Sequence, residues 1–262
     1  MKACVHKTLT KIALQRCGDK LPKTMHKFSD EILRGVEDED DARPERALNW
    51  HFYRSNRKIK TKEYLFCKPT SENIFAKRIK EMNKYGKDDK RRYNNLGRII
   101  HHIQDMSTPS HVIPIFHGGK TRDYFEEFMS KQANADALGE KVVRGNSQKN
   151  FTTLYKDSAV ATLEYIRNTT FELKEVKTDG QKQTLYLNEF WQNHHQNEDP
   201  KFKGFGSYGP LHGCFLSTAT DFCNCPSKIA KGELLKIHTY ICNKAIQDTC
   251  DALFYAAALD GV

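Results

Sequence analysis

Residues 88–106 carry the pattern that most constrains the fold, because they predict an amphipathic helix. Its apolar stripe, at helical spacing, is formed by Leu96, Ile99, Ile100 and Ile103. His101 and Asp105 are four residues apart and therefore share one face of this helix. Imidazole nitrogen and carboxylate oxygen are both ligands of Zn²⁺. We expect Pro109 to stop the helix, with His111 just beyond it.

Helical spacing recurs along most of the chain. We expect further helices at residues 3–16, 28–36, 71–83, 123–132, 150–168 and within 227–259. Ser71 would cap the third of these. An acidic run at 37–41 follows the second of these helices, and we expect a loop after it, through Pro44. Residues 198–226 are rich in Gly, Pro and aromatic residues, and we expect a long loop there. A small β-hairpin insertion around Asp179-Gly180 would fit residues 171–188. The sequence therefore predicts a mainly helical, all-α fold.

Size and charge limit the function classes. The chain has 262 residues and no Pro/Gly/Ser-rich linker, so we expect a single domain over residues 1–262. No apolar run approaches the roughly 18–20 residues of a transmembrane helix. The net charge of +9 favours phosphate groups, lipid head groups or nucleic acid as partners. A solvated, lysine-rich surface would give the same charge.

The cysteines bear on where the chain works. Eight are present, and an even number suits an exported, disulfide-bonded protein. The first residues have no apolar segment or cleavage site of a signal peptide. A mature form, export without such a signal and a reducing cytosol all fit these facts. Our expectation is export into the medium, the periplasm or a host cell.

The candidate metal ligands all lie in the first half of the chain. The candidate ligands are His6, Asp40, His51, His101, Asp105, His111, His117 and Glu126. A single histidine is more often a surface or core residue, but this joint pattern predicts metal binding. His102 points about 100° away from His101 around the helix, so we expect a supporting or surface role for it.

Five segments agree in order and approximate spacing with a known pattern: VHKTLTKIA, GVEDED, NWHFY, LGRIIHHIQDMSTPSH and DYFEEF. By these segments, which run from about residue 6 to residue 126, the chain resembles the zinc-dependent phospholipase C family of bacteria. The stretch KFKGFGSYG is similar to the branch found in pseudomonads and legionellae. The long helix near the C-terminus also has its place in that family.

The resemblance implies two or three zinc ions. The first would be held by Asp40, His51, His101 and Asp105. Asp40 would also be the general base; its spacing from Gly35 favours it, but Asp38, Glu39 and Asp41 lie close by in the sequence.

The resemblance assigns His111, Glu126 and one further ligand to the second ion. The family has a histidine four residues before this glutamate, where this chain has Arg122. We expect His117 to replace it, with Asp123 as the less favoured substitute.

A third ion would be bound by Asp105 and His6. In the family, the amine and carbonyl of an N-terminal Trp complete that site. Here Met1 stands first and His6 lies nearer the start than in the family.

The implied reaction is hydrolysis of the glycerol-side phosphodiester of phospholipids at a membrane surface, without nucleic acid as a partner. It yields diacylglycerol and a phosphorylated head group. Phe116, Tyr124 and Phe205 would contact the lipid, although aromatic residues also pack cores. The alternatives are a related trinuclear-zinc single-strand nuclease or nucleotidase, and a zinc-stabilised interaction protein without activity.

Overall fold

Helices dominate the described part of the chain. The computed structural model describes residues 1–41, 51–53, 71–113, 115, 123–132, 149–172, 184–192, 206–216, 229 and 231–261. The α-helices are α1 (Ala3–Cys17), α2 (Lys23–Lys27), α3 (Ser29–Asp41), α4 (Ser71–Asn83), α5 (Lys90–Asp105), α6 (Pro109–Val112), α7 (Tyr124–Gln132), α8 (Phe151–Asn168) and α9 (Lys231–Leu259). Short 3₁₀ helices lie at Gly18–Lys20, Leu187–Glu189 and His212–Leu216. The predicted all-α class is confirmed.

Two short antiparallel pairs of strands accompany the helices. Strand β1 (Thr170–Glu172) pairs with β2 (Thr184–Tyr186), which confirms a small β insertion at the expected place. The turn signal at residues 179–180 lies outside the described residues. Strand β3 (Trp191–Gln192) pairs with β4 (Ser207–Tyr208).

The second strand pair corrects the expectation of one long loop over residues 198–226. Trp191 is fully buried and aligns with Tyr208 across the pair. A Cβ at Gly209 would lie 2.0 Å from the carbonyl oxygen of Glu189. The buried indole and the close backbone approach stabilise the pairing of β3 with β4, which the Gly-rich composition of this stretch does not predict.

Helix α3 corrects a second expectation, since the acidic run continues the helix to Asp41. Ile32 and Val36 are fully buried, and the next positions on that face are Glu39 and Asp40. The face that begins apolar therefore ends in two buried carboxylates. Asp40 consequently lies in the last turn of α3, beyond the helix end expected at residue 36.

Two helix ends differ from expectation in detail. Helix α4 has the predicted bounds, but Ser71 is its first helical residue rather than its cap. Helix α5 begins after Asp89, whose side chain accepts a hydrogen bond from the Arg91 amide, and it ends at Asp105. Pro109 does not stop it but begins α6, a position where its missing N–H costs nothing.

Helix α5 lies at the centre of the fold and packs on α3, α4, α8 and α9. Its side chains from Ile99 to Asp105 are all buried.

None of the helices in the described part of the chain has the length and hydropathy of a membrane span.

Helices α3 and α5 cross at backbone contact through a pair of glycines. A Cβ on Gly35 would lie 1.9 Å from the carbonyl oxygen of Asn94, and one on Gly97 would lie 2.1 Å from that of Ile32. Real Cβ atoms do not approach a backbone so closely. The crossing therefore requires glycine at both positions.

We expect Gly97→Ala to lower the free energy of unfolding by about 3 kcal/mol, at the upper end of overpacking effects, because backbone must move. Gly232→Ala is the matched control in α9, where a Cβ meets nothing within 4 Å. It should raise stability by up to about 1 kcal/mol. Urea unfolding followed by circular dichroism measures both, and equal stability of Gly97→Ala and wild type would contradict this crossing.

Candidate metal centre

Seven of the predicted ligands come together where α1, α3, α5, α6, α7 and the segment 51–53 meet. They are His6, Asp40, His51, His101, Asp105, His111 and Glu126. All except Glu126 are buried. The eighth, His117, lies outside the described residues.

The Asp105 carboxylate is at the centre of this cluster. Its Oδ1 atom lies 3.2 Å from Nε2 of His6. Its Oδ2 atom lies 2.6 Å from Nδ1 of His51 and 3.3 Å from Nε2 of His101. The two oxygens of one carboxylate thus face different histidines: Oδ1 faces His6, and Oδ2 faces His51 and His101.

Hydrogen bonds on the far side of two histidine rings fix which nitrogen faces Asp105. Nδ1 of His101 donates to the carbonyl oxygen of Val36 at 3.0 Å. Nδ1 of His6 donates to Oε1 of Gln104 at 2.8 Å. Each ring therefore presents Nε2 to the cluster, and an N–H bonded outward is the usual arrangement of a metal-ligating histidine.

The Gln104 amide could not be turned the other way. Its nitrogen lies 2.9 Å from the hydroxyl oxygens of Thr10 and Thr249. Both hydroxyls already donate their protons to backbone carbonyl oxygens, so they must accept from the Gln104 amide. Sequence analysis did not identify this glutamine as part of the site. The available signal was a polar residue directly before Asp105, in a helix whose apolar stripe ends at Ile103.

His111 and Glu126 form the opposite side of the cluster. Nε2 of His111 lies 3.2 Å from Oε1 of Glu126, while Nδ1 donates to the carbonyl oxygen of His51 at 3.2 Å. The Met1 amine lies 3.0 Å from the same Glu126 oxygen and 3.4 Å from Oδ1 of Asp105. The Met1 amine, two residues before α1, therefore reaches both carboxylates.

Among the neighbouring acidic residues, Asp40 is the one grouped with the candidate ligands His6 and His101. Its Oδ1 atom lies 3.8 Å from Nε2 of His101, and its buried Oδ2 atom makes no hydrogen bond within the described residues. Asp38 instead accepts from the Asn94 amide at 2.8 Å, and Glu39 binds two arginines. The side chain of Asp41 is outside the described part of the chain.

The ligand atoms are close enough to hold metal ions. His6, Asp40 and His101 each offer a ligand atom within 4.8 Å of the others, and so do His51, His102 and Asp105. Nε2 of His6 lies near Asp105 but without the alignment of a hydrogen bond. Buried lone pairs that face one another in this way need a cation between them. The cluster thus has two buried groups that could each hold an ion.

His102 is fully buried, so the surface role considered for it is wrong. Its Nδ1 atom lies 3.1 Å from Oγ of Ser71, and its Nε2 atom lies 3.0 Å from Oε1 of Glu39. Both ring nitrogens are already engaged with protein groups. His102 is therefore better suited to support the site than to bind an ion directly.

Charge compensation dominates the electrostatics of the cluster. Burial alone would raise the pKa of Asp105, but His111, His101 and the Met1 amine hold that pKa well below its usual range. Burial alone would lower the pKa of His101, yet Asp105 and Asp40 raise it to about 9. Burial together with His101 lowers the pKa of His6 to about 4. Positive charge is thus drawn to the centre even without a metal.

The predicted lipid contacts are only partly described. Phe116 and Phe205 lie outside the described residues. Tyr124 is half-buried at the start of α7, and its ring stacks on His212 at 5.4 Å between centroids. Asp123 caps α7, since its Oδ1 atom accepts from the amides of Phe125 and Glu126, so that oxygen is already committed.

Comparison of the chain with protein-family models, with curated proteins and with solved structures finds no match.

We expect the metal-free protein to lose stability as the pH rises from about 6.5 to about 9. The folded pKa of His101 lies above the unfolded value of 6.5, so its contribution is complete below pH 6.5 and disappears through pH 9. The loss is on the order of 3 kcal/mol. Urea unfolding at each pH measures it. His101→Gln has no proton to lose there and should give a flatter profile; identical profiles would contradict the assignment.

Proposed function

We propose that this protein is a zinc-dependent phospholipase C, which hydrolyses the glycerol-side phosphodiester of phospholipids. One observation carries the proposal: the Asp105 carboxylate turns Oδ1 to His6 and Oδ2 to His51 and His101 inside a buried cluster. A carboxylate shared in this way is suited to bridge two metal ions. The resemblance of the motifs around these residues supports the same reaction.

Zinc fits the donor set better than a hard cation. The groups offer imidazole nitrogens with few carboxylates, whereas Ca²⁺ and Mg²⁺ require oxygen ligands. Asp40, His51, His101 and Asp105 would hold one ion, and His6 with Asp105 would hold another. His111 and Glu126 would hold a further ion with one more ligand, giving two or three in all. When bound, zinc supplies a Lewis acid that neutralises charge on the phosphate oxygens.

Asp40 would act as the general base. Its buried Oδ2 atom makes no hydrogen bond within the described residues and can accept the proton of a water that attacks phosphorus. The bond from phosphorus to the glycerol oxygen breaks, and the proton passes to that oxygen. His101 and His6 keep their outward hydrogen bonds and so stay fixed in orientation during the reaction.

The substrate would reach the site from a membrane surface. Phe116, Tyr124 and Phe205 would contact the acyl region, and the net charge of +9 would attract lipid phosphate. Cys214 is disulfide-bonded, which supports export, whereas Cys4, Cys17, Cys242 and Cys250 are free cysteines.

The expected result is diacylglycerol release from phospholipid vesicles that a chelator abolishes and added zinc restores. His101→Ala should reduce the rate by more than about 100-fold, because even the groups that support a ligand are worth 10–100-fold. His26→Ala is the matched control, since His26 is exposed, hydrogen-bonds the Gly18 carbonyl oxygen and is not one of the candidate ligands. It should leave the rate unchanged.

Three other outcomes would overturn the proposal. Full activity of a folded His101→Ala variant would exclude the metal centre as its source. Zinc binding with hydrolysis of single-stranded DNA, but not of lipid, would identify the nuclease. Zinc binding with no hydrolysis of either substrate would identify a zinc-stabilised interaction protein.

A further inference from the structure

The segment that carries His51 is docked by three hydrogen bonds that involve its backbone. The Tyr53 amide donates to the carbonyl oxygen of His111 at 2.9 Å, and Nδ1 of His111 donates to that of His51 at 3.2 Å. The amide of Ser71 donates to the carbonyl oxygen of Phe52 at 3.3 Å. The position of His51 therefore depends on the start of α4 as well as on α6.

Ser71 is itself held from the opposite side. Its hydroxyl lies 3.1 Å from Nδ1 of His102, and Nε2 of His102 lies 3.0 Å from Oε1 of Glu39. Nε2 must donate to the carboxylate, so Nδ1 must accept from the Ser71 hydroxyl. All three side chains are fully buried. The directions of both hydrogen bonds are thus fixed.

Glu39 is anchored in turn by two arginines from other helices. Nε of Arg78 lies 2.9 Å from Oε2 of Glu39, and Nη1 of Arg98 lies 2.8 Å from the same oxygen. Buried charges arranged in this way cost more desolvation than an apolar core of the same volume. A network that costs stability and ends at the segment of a candidate ligand suggests a positioning role.

We propose that Glu39, His102 and Ser71 form a hydrogen-bonded relay from α3 through α5 to the start of α4 that positions His51 for metal binding. The inference rests on the proposed function, because it is the metal centre that needs His51 held in place. The His102 ring also lies against that of His51, with centroids 5.4 Å apart. His51 is thus supported both through its backbone and through its ring.

The test compares two variants of the full chain that lose contacts, and one conservative variant, with a control. His102→Phe keeps a ring but loses both hydrogen bonds, and Ser71→Ala removes only the link to α4. Asp260→Asn is the control, because it weakens a largely buried ion pair with Arg92. His102→Asn keeps an acceptor near the Nδ1 position and should fall between wild type and His102→Phe.

Two readouts are needed, neither of which is enzyme activity. In metal-free protein, His102→Phe and Ser71→Ala should selectively speed hydrogen exchange of the Tyr53 amide, while Asp260→Asn should not. In competition with a chelator, the two variants should bind zinc about 10–100-fold more weakly than wild type, and the control should bind as wild type does.

Unchanged exchange at Tyr53, or zinc affinity that falls no more than in Asp260→Asn, would overturn the relay. A different result is that the wild-type protein binds no zinc while hydrogen exchange of the Tyr53 amide is still selectively faster in the variants. That result would overturn the proposed function, and the relay would then serve only to hold segment 51–53. The two failures are therefore distinguishable. If His102→Phe does not fold, Ser71→Ala decides the question alone.

Discussion

The Asp105 carboxylate is fully buried, and burying an ion without compensation costs several kcal/mol. Nearby donors and positive groups offset that cost: Nδ1 of His51 lies 2.6 Å from the carboxylate, Nε2 of His101 lies 3.3 Å from it, and the Met1 amine lies 3.4 Å from it. These residues come from three separate parts of the chain. The packing of α1, α5 and the segment 51–53 is consequently coupled to the charge state of one side chain. A bound cation would satisfy the same requirement more completely than shared protons.

The crossing of α3 and α5 explains how so many polar groups meet around that carboxylate. Backbone contact at Gly35 and Gly97 sets the two helices at close range. One turn further along, Asp40 faces His101 on the side of the metal centre, and Glu39 faces His102 behind it. Two adjacent residues on each helix thus form two carboxylate–histidine couples. One couple would bind the ion, and the other supports the elements around it.

Local sequence signals predicted much of the fold but only part of the site. Both ends of α4 were predicted correctly because its apolar spacing is regular. The start of α5 lies about two residues later than expected. The continuation of α3 to Asp41 was not predicted, because Glu39 looks like a solvated acidic residue in the local sequence. Its partners Arg78 and Arg98 lie in distant segments of the chain. His102 was set aside for the same reason. Long-range compensation of buried charge leaves no local pattern in a sequence.

The central claim is that Asp105 bridges two metal ions, and anomalous diffraction at the zinc absorption edge tests it most directly. Crystals of the zinc-loaded protein should show one peak beside Oδ1 of Asp105 and Nε2 of His6, and a second beside Oδ2, His51 and His101. A third peak near His111 and Glu126 would extend the same centre. Absence of peaks, or a single peak that Asp105 does not contact, would contradict the account.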